Sequence, residues 1–192
     1  DAKAQRLQAE YKAEPGIGQI GGVLPRRDIF KGKGYLPMSL MQFSRGCRFA
    51  CHFCAVSSYF DRQFYLRKID EVIQEIEAQD RKFLFFIDDN IASDRYALKE
   101  FCHALTTMKV QWISQMSLDV THDPELMKLL ERSGHWGSVM GFESITLKSL
   151  RESKKSPNIP GFSDYRREVK ALRARDSEPH AFDRVIGESA AI

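Results

Sequence analysis

No apolar run in this chain is long enough to cross a bilayer. The longest near its centre, Phe83 to Ile87, falls far short of the ~20 residues a membrane helix needs. Charge of one sign is equally scarce. Lys and Arg number 29 against 26 Asp and Glu, a formal net charge of +3. The basic pairs Arg26-Arg27, Lys154-Lys155 and Arg166-Arg167 are scattered rather than massed on one face, which argues against a nucleic-acid partner. No signal peptide opens the chain. Cysteine is rare too, four in 192 residues, and three of them are clustered. A disulfide framework would spread its staples along the chain and would not strand one thiol of a trio, so metal or redox chemistry in a cytoplasmic protein is the better reading. With 43% hydrophobic and 29% charged residues, these absences leave one soluble domain of ordinary size. The chain does not open with Met, and "DAKAQRLQAEYKAE" reads like mid-protein sequence, so a fragment of a longer protein is expected.

What is present begins with "SRGCRFACHFCAV", which holds Cys47-x-x-x-Cys51-x-x-Cys54. An iron–sulfur cubane is normally held by four thiolates, one per iron, so three leave one iron with an open position for a substrate. The logic parallels the open position of catalytic zinc. Two other readings stand beside it: inert thiols, and structural zinc completed by His52. Zinc is poorer, because His52 adjoins Cys51 and neighbouring side chains in one loop tend to point apart, while His103 and His122 fall away from this loop. The fourth cysteine, Cys102, shares a helical face with Leu98, Phe101 and Leu105 and reads as a small buried hydrophobe.

Along the chain, strand and helix patterns alternate. A short helix over residues 1–13 leads into a Gly/Pro-rich segment ending near Pro37. Met38–Ser44 reads as a strand, followed by the cysteine loop. Ile69, Val72, Ile73 and Ile76 mark an amphipathic helix. Residues 82–87 form a buried-type strand, and the helix carrying Cys102 follows, with Ser93 as its cap. Residues 110–117 form a third strand. Asp123-Pro124-Glu125 starts a helix that Gly134 stops, and residues 136–142 form a fourth strand. Four strand–helix units in succession imply an α/β fold with parallel strands, a partial (β/α) TIM-like barrel.

Something chemically unusual follows each strand: the cysteine trio, then Asp88-Asp89-Asn90, then Gln115 with Ser117 and Asp119, then Glu143. In a β/α barrel all these ends lie on one face, where catalytic residues collect. Alone, Asp88-Asp89-Asn90 would read as a turn and cap, and Glu143 as a solvated carboxylate. Their coincidence beside a metal motif points to a site.

CxxxCxxC at the end of the first strand of a βα series, with Phe53 just before the last cysteine, resembles the radical S-adenosylmethionine superfamily. The wider stretch "LPRRDIFKGKGYLPMSLMQFSRGCRFACHFCAV", with "FFIDDN" and "GFES" at later strand ends, is similar to its cobalamin-binding branch, over about residues 1–172. The resemblance implies that Cys47, Cys51 and Cys54 ligate a 4Fe–4S cluster whose unique iron binds the amino and carboxylate groups of S-adenosylmethionine. Reductive cleavage of that cofactor would give methionine and a 5′-deoxyadenosyl radical that takes hydrogen from a small-molecule substrate. Phe53 would sit near the adenine. Asp88, Asp89 and Asn90 occupy the position where many members carry a Gly-Gly-Glu motif for the cofactor's amino group, a departure in wording that still sets a carboxylate before an ammonium. Glu143 matches the position that contacts the ribose hydroxyls, and Gln115 and Ser117 are looser candidates at the third strand. Cobalamin would bind through a domain absent from this chain, and flavodoxin or ferredoxin would donate the electron.

Gly16-Ile-Gly18-Gln-Ile-Gly21 spells a dinucleotide fingerprint but has no strand before it and a proline where a helix should start, so it reads as linker. The expected organisation is therefore a linker and extension over residues 1–37, the partial barrel over 38–175, and an atypical tail over 176–192. "SDYRREVKALRAR" reads as a helix, yet "DSEPHAFDRVIGESAAI" has no strand pattern, where the resemblance implies two further strands. The barrel is thus expected to end early. Three functional readings follow: a cobalamin-dependent C-methyltransferase, a radical cyclase or rearranging enzyme, and a non-catalytic metal-binding module or inactive fragment.

Overall fold

Apolar strands alternating with amphipathic helices build one parallel sheet with helices packed on it. The computed structural model describes residues 3–10, 20–160 and 162–165. Its elements are β1 (Ser39–Met41), β2 (Ser44–Gly46), α1 (Ala55–Tyr59), β3 (Phe64–Leu66), α2 (Ile69–Glu77), β4 (Phe83–Phe86), α3 (Arg95–Leu105), β5 (Gln111–Gln115), α4 (Pro124–Arg132), β6 (His135–Val139) and α5 (Leu147–Glu152). Strands β1, β4, β5 and β6 lie side by side in that order, all parallel, as the partial barrel requires. β2 and β3 form a separate antiparallel ladder. Among the described residues no helix is long and apolar enough to cross a membrane.

Sequence chemistry sets the helix ends. Asp123 caps α4 by accepting from the Leu126 N–H, Pro124 takes the first helical position, and Gly134 stops the helix at φ +81°. Val72 and Ile76 lie one turn apart on α2 and are fully buried, while acidic Asp70 and Glu71 occupy its first turn, where the helix dipole favours them. The core joins Leu84 and Phe86 of β4, Trp112 of β5, and Leu98, Phe101 and Cys102 of α3, so Cys102 is the buried hydrophobe expected. Phe101 stacks on Phe43 (4.1 Å, 9°) and meets Phe86 edge-on at 5.1 Å.

Five expectations need correction. The strand expected over Met38–Ser44 ends at Met41, and Ser44–Gly46 pairs instead with Phe64–Leu66, because the Asp88 carboxylate captures the Phe43 and Ser44 backbone. Asp94, not Ser93, caps α3 through the Ala97 N–H; Ser93 closes a turn of 3₁₀ helix (Ile91–Ser93) and faces the cysteine loop. The strand expected over 136–142 spans His135–Val139, since the Asn158 side chain takes the Gly141 and Phe142 carbonyls out of any ladder. The strand expected over 110–117 is confined to Gln111–Gln115, because the Ser117 N–H turns to Asn90. Residues 3–10 are exposed and not helical, as a short segment without a packed face would be. The helix expected over 163–175, from residue 166 on, and the whole tail from Asp176 lie outside the described residues, as do residues 16–19 of the glycine motif.

Residues 21–38 lie against the sheet edge. The Gly22 N–H donates to Glu71 (3.0 Å), Arg81 donates to the Leu36 and Met38 carbonyls, and Arg27 binds both the Leu40 carbonyl and Glu75. Glu75 also pairs with Arg67 at 2.7 Å, both buried. This ionic group fastens the segment to α2 and β1; losing Glu75 would take the carboxylate partner from both arginines.

Phe101 carries the contact between α3 and two strands, so Phe101→Ala is expected to destabilise the domain by roughly 3–5 kcal/mol. Urea denaturation checks this, and a loss below about 1 kcal/mol would show that the stack is not central.

Candidate metal and cofactor site

The loop between β2 and α1 carries three thiols and is held at four points. The Gly46 N–H donates to Asp89 Oδ2 (2.7 Å) and the Arg48 N–H to Ser93 Oγ (2.9 Å). Ser57 Oγ donates to the Phe49 carbonyl, and the His52 N–H to the Ser153 carbonyl, both at 2.9 Å. Arg48 also pairs with Asp94 at 2.9 Å. Gly46 adopts φ +87°, and a Cβ there would collide with the Gln63 carbonyl, so the loop entry requires glycine. Cys47 and Cys51 are buried and Cys54 is half-buried, at the capping position of α1.

The end of β4 reaches this loop in three ways. Asp88 is 2% exposed; its Oδ1 accepts from the Phe43 N–H (3.0 Å) and its Oδ2 from the Ser44 N–H and hydroxyl (both 2.8 Å). Burial pushes its carboxyl up to about 6, against the pull of those three hydrogen bonds. Asp89, half-buried, holds Gly46. Asn90 accepts from the Ala92 and Ser117 N–H groups through Oδ1, while Nδ2 reaches Ser117 Oγ (3.3 Å) and Cys47 Sγ (3.7 Å). Ser93 Oγ stands 3.6 Å from the same sulfur.

The end of β6 supplies the other side. Glu143 has φ +62°, a conformation uncommon outside glycine and a form of strain that collects at functional sites. A Cβ on Gly141 would collide with Glu143 Oε1, so Gly141 makes room for this carboxylate. Lys155 donates to Glu143 Oε1 (2.8 Å) and lies 5.8 Å from the centre of the Phe53 ring, which is 55% exposed. Burial pushes the Cys51 thiol up; Lys155 opposes that shift, while Cys54, Cys47 and Glu143 add to it.

Asn90, Ser117 and Cys47 are therefore brought together, as are Phe53 and Glu143. Gln115 stands exposed at the end of β5. Asp119 pairs with Arg95 at 2.5 Å. Asp88, expected to face a ligand, is buried with both its oxygens taken up by Phe43 and Ser44. Lys155 was missed: one lysine in a basic pair carries no local signal. Ser93 was misplaced as a cap. A groove of about 950 Å3 lined by Leu24, Arg27, Tyr35, Leu40 and Gln79 lies at the other end of the strands, remote from the thiols.

The donor set fits a cluster. A cubane spreads its thiolates over different irons, so the three sulfurs need not converge on one point. Among the described residues no three His, Cys, Asp or Glu side chains are arranged to hold a single metal ion, and His52 is exposed, which disfavours the Cys3His alternative. Two donors at the Cys47 sulfur suit a thiolate, and a metal would offset the cost of ionising buried Cys51.

The family model described as the radical SAM superfamily matches residues 41–186. A bacteriochlorophyllide d C-12(1)-methyltransferase of Chlorobaculum tepidum is 27% identical over 132 residues, 66% of this chain and 29% of that protein. An anaerobic magnesium-protoporphyrin IX monomethyl ester cyclase of Rubrivivax gelatinosus is 28% identical over 160 residues, 77% of this chain and 29% of that one. The solved structure of the radical S-adenosylmethionine methyltransferase TsrM from Kitasatospora setae, with cobalamin and a 4Fe–4S cluster bound, shares the fold: TM-score 0.62 at 18% identity, over 72% of this chain and 29% of that one.

Because the folded Asp88 carboxyl titrates near 6, above its ordinary 3.8, its contribution to stability is fully present below 3.8 and is lost as pH rises through about 6. The gap corresponds to about 3 kcal/mol. Between about pH 4 and 7, the denaturation midpoint of the parent chain should fall relative to that of Asp88→Asn as pH rises. A constant difference would show that Asp88 is not buried in this way.

Proposed function

The chain belongs to the radical SAM superfamily, and on that premise we propose that it is the cluster- and cofactor-binding core of a cobalamin-dependent C-methyltransferase. It spans less than a third of the length of the relatives described above, so methyl transfer is a reading of the full-length protein. The observation that carries the core activity is the thiol loop anchored against the ends of β4 and β6. Its three cysteines are complete for a cluster with one open iron. Cys47, Cys51 and Cys54 would hold the cluster there, and when bound it would supply the one-electron reduction that cleaves a carbon–sulfur bond of S-adenosylmethionine.

The chain's own residues bind and orient. Cys47, Cys51 and Cys54 hold the metal. Asp88 shapes the loop from beneath, and Asp89, with one oxygen beyond its bond to Gly46, is the carboxylate for the cofactor's ammonium. Lys155 complements its carboxylate, and Glu143, held by Lys155, turns to the ribose hydroxyls. Phe53 offers an exposed ring to the adenine, and Gln115 borders the site from β5. Asn90 and Ser117 sit deeper and brace Cys47. A cytoplasmic setting keeps the thiols reduced, a flavodoxin or ferredoxin donates the electron, and the substrate is a small molecule.

Anaerobic reconstitution should give about four irons per chain. Cys47→Ala, Cys51→Ala and Cys54→Ala should each abolish the cluster, and Cys102→Ala should keep it. Stoichiometric zinc without iron uptake would overturn the reading. In the full-length protein, reduction in the presence of S-adenosylmethionine should release 5′-deoxyadenosine. Methyl transfer adds S-adenosylhomocysteine, whereas 5′-deoxyadenosine alone would favour the chemistry of the cyclase relative.

Glu143→Ala and Lys155→Ala should each weaken S-adenosylmethionine binding roughly tenfold or more, the worth of a charge-assisted hydrogen bond, while sparing iron content. Calorimetry showing unchanged affinity in both would return this pair to a structural role.

A further inference from the structure

Cys47 differs from the other two cysteines in what surrounds its sulfur. Asn90 Nδ2 lies 3.7 Å away and Ser93 Oγ 3.6 Å, distances that suit sulfur's larger radius. The direction of both bonds follows from the groups' other partners. Asn90 Oδ1 accepts from two backbone N–H groups, Ala92 and Ser117, each at 3.2 Å. Turning the amide over would bring NH2 against both donors, so the amide nitrogen must face Cys47. Ser93 Oγ accepts from the Arg48 N–H at 2.9 Å, which leaves its own proton to point at the sulfur. Asn90 is 5% exposed, so water does not compete for this contact. Two donors fixed in this way toward one buried sulfur match a thiolate, which accepts from both; a neutral thiol is a weak acceptor.

We propose that Asn90 and Ser93 set the reduction potential of the cluster by donating two hydrogen bonds to the Cys47 sulfur. The inference rests on the cluster reading above. Hydrogen bonds to ligating sulfur withdraw electron density and favour the reduced, more negatively charged cluster, so they raise its potential. Both side chains act through Cys47 and are positioning residues. The arrangement is one-sided: these two donors come from the end of β4 and the turn after it, whereas Cys51 feels the Lys155 charge from the other flank. Among the described residues of the loop, Cys47 is thus the cysteine whose sulfur receives side-chain hydrogen bonds.

The test uses the reconstituted protein in redox titrations monitored by electron paramagnetic resonance, with iron and sulfide counted in every sample. Ser93→Ala and Asn90→Ala should each shift the midpoint to more negative potential, and the double variant further. Ser93→Thr, which keeps the hydroxyl, should restore the parent value. Exchangeable-proton couplings to the reduced cluster, read by hyperfine spectroscopy in deuterated buffer, should weaken in Ser93→Ala and return in Ser93→Thr. An unmoved midpoint and unchanged couplings in Ser93→Ala with full iron would overturn the inference while leaving the cluster reading intact. Absence of iron from the parent protein would overturn both. If Asn90→Ala loses its iron, the Ser93 pair decides alone.

Discussion

A parallel strand that ends at a functional face must hand its neighbour's backbone on to something other than the sheet. Here Asp88 does this. Once Ile87 N–H has bonded Met41 across the β1–β4 pair, the N–H groups of Phe43 and Ser44 lie beyond that ladder, and the Asp88 carboxylate takes both. Burying a carboxylate so deeply is unfavourable, as its raised titration near 6 records, and hydrogen bonds from backbone and hydroxyl make it tolerable. The bend that results converts the end of β1 into β2, sends the chain into the cysteine loop and sets Phe43 on Phe101.

From that bend the rest of the site follows in order. Asp89 fixes Gly46, Asn90 and Ser93 meet Cys47, and Asp94 both caps α3 and pairs with Arg48. Four acidic, amide or hydroxyl residues within one short segment thus grip one loop while starting a helix. The far side is built differently: a strained Glu143, a glycine that clears space for it, and a lysine spanning to Phe53. One flank holds the metal loop rigid through backbone contacts. The other presents two charges paired with each other, Glu143 and Lys155.

Along the β1 edge of the sheet, the Arg27–Glu75–Arg67 group fastens residues 21–38. Among the described residues β6 pairs only with β5, leaving the sheet open beyond it. The chain spans less than a third of the length of the relatives it matches.

Local chemistry was enough to read the thiol spacing, the Asp123-Pro124 helix start, the buried face of Cys102 and the succession of parallel units. Each depends on a handful of neighbouring residues, and a spacing or period survives whatever the rest of the chain does. Glu143 and Asn90 were legible as positions at strand ends, though not as to what they touch. Tertiary structure alone decided that Asp88 serves the loop, since a buried and an open carboxylate look identical in sequence. It alone brought Lys155, twelve residues past Glu143, back over Phe53. It also turned Ser93 from a cap into a donor at Cys47, because Asp94 next door competes for the cap and the loop arrives from 46 residues earlier. Hydrogen bonds across such separations depend on where a folded backbone passes, and no local pattern encodes that.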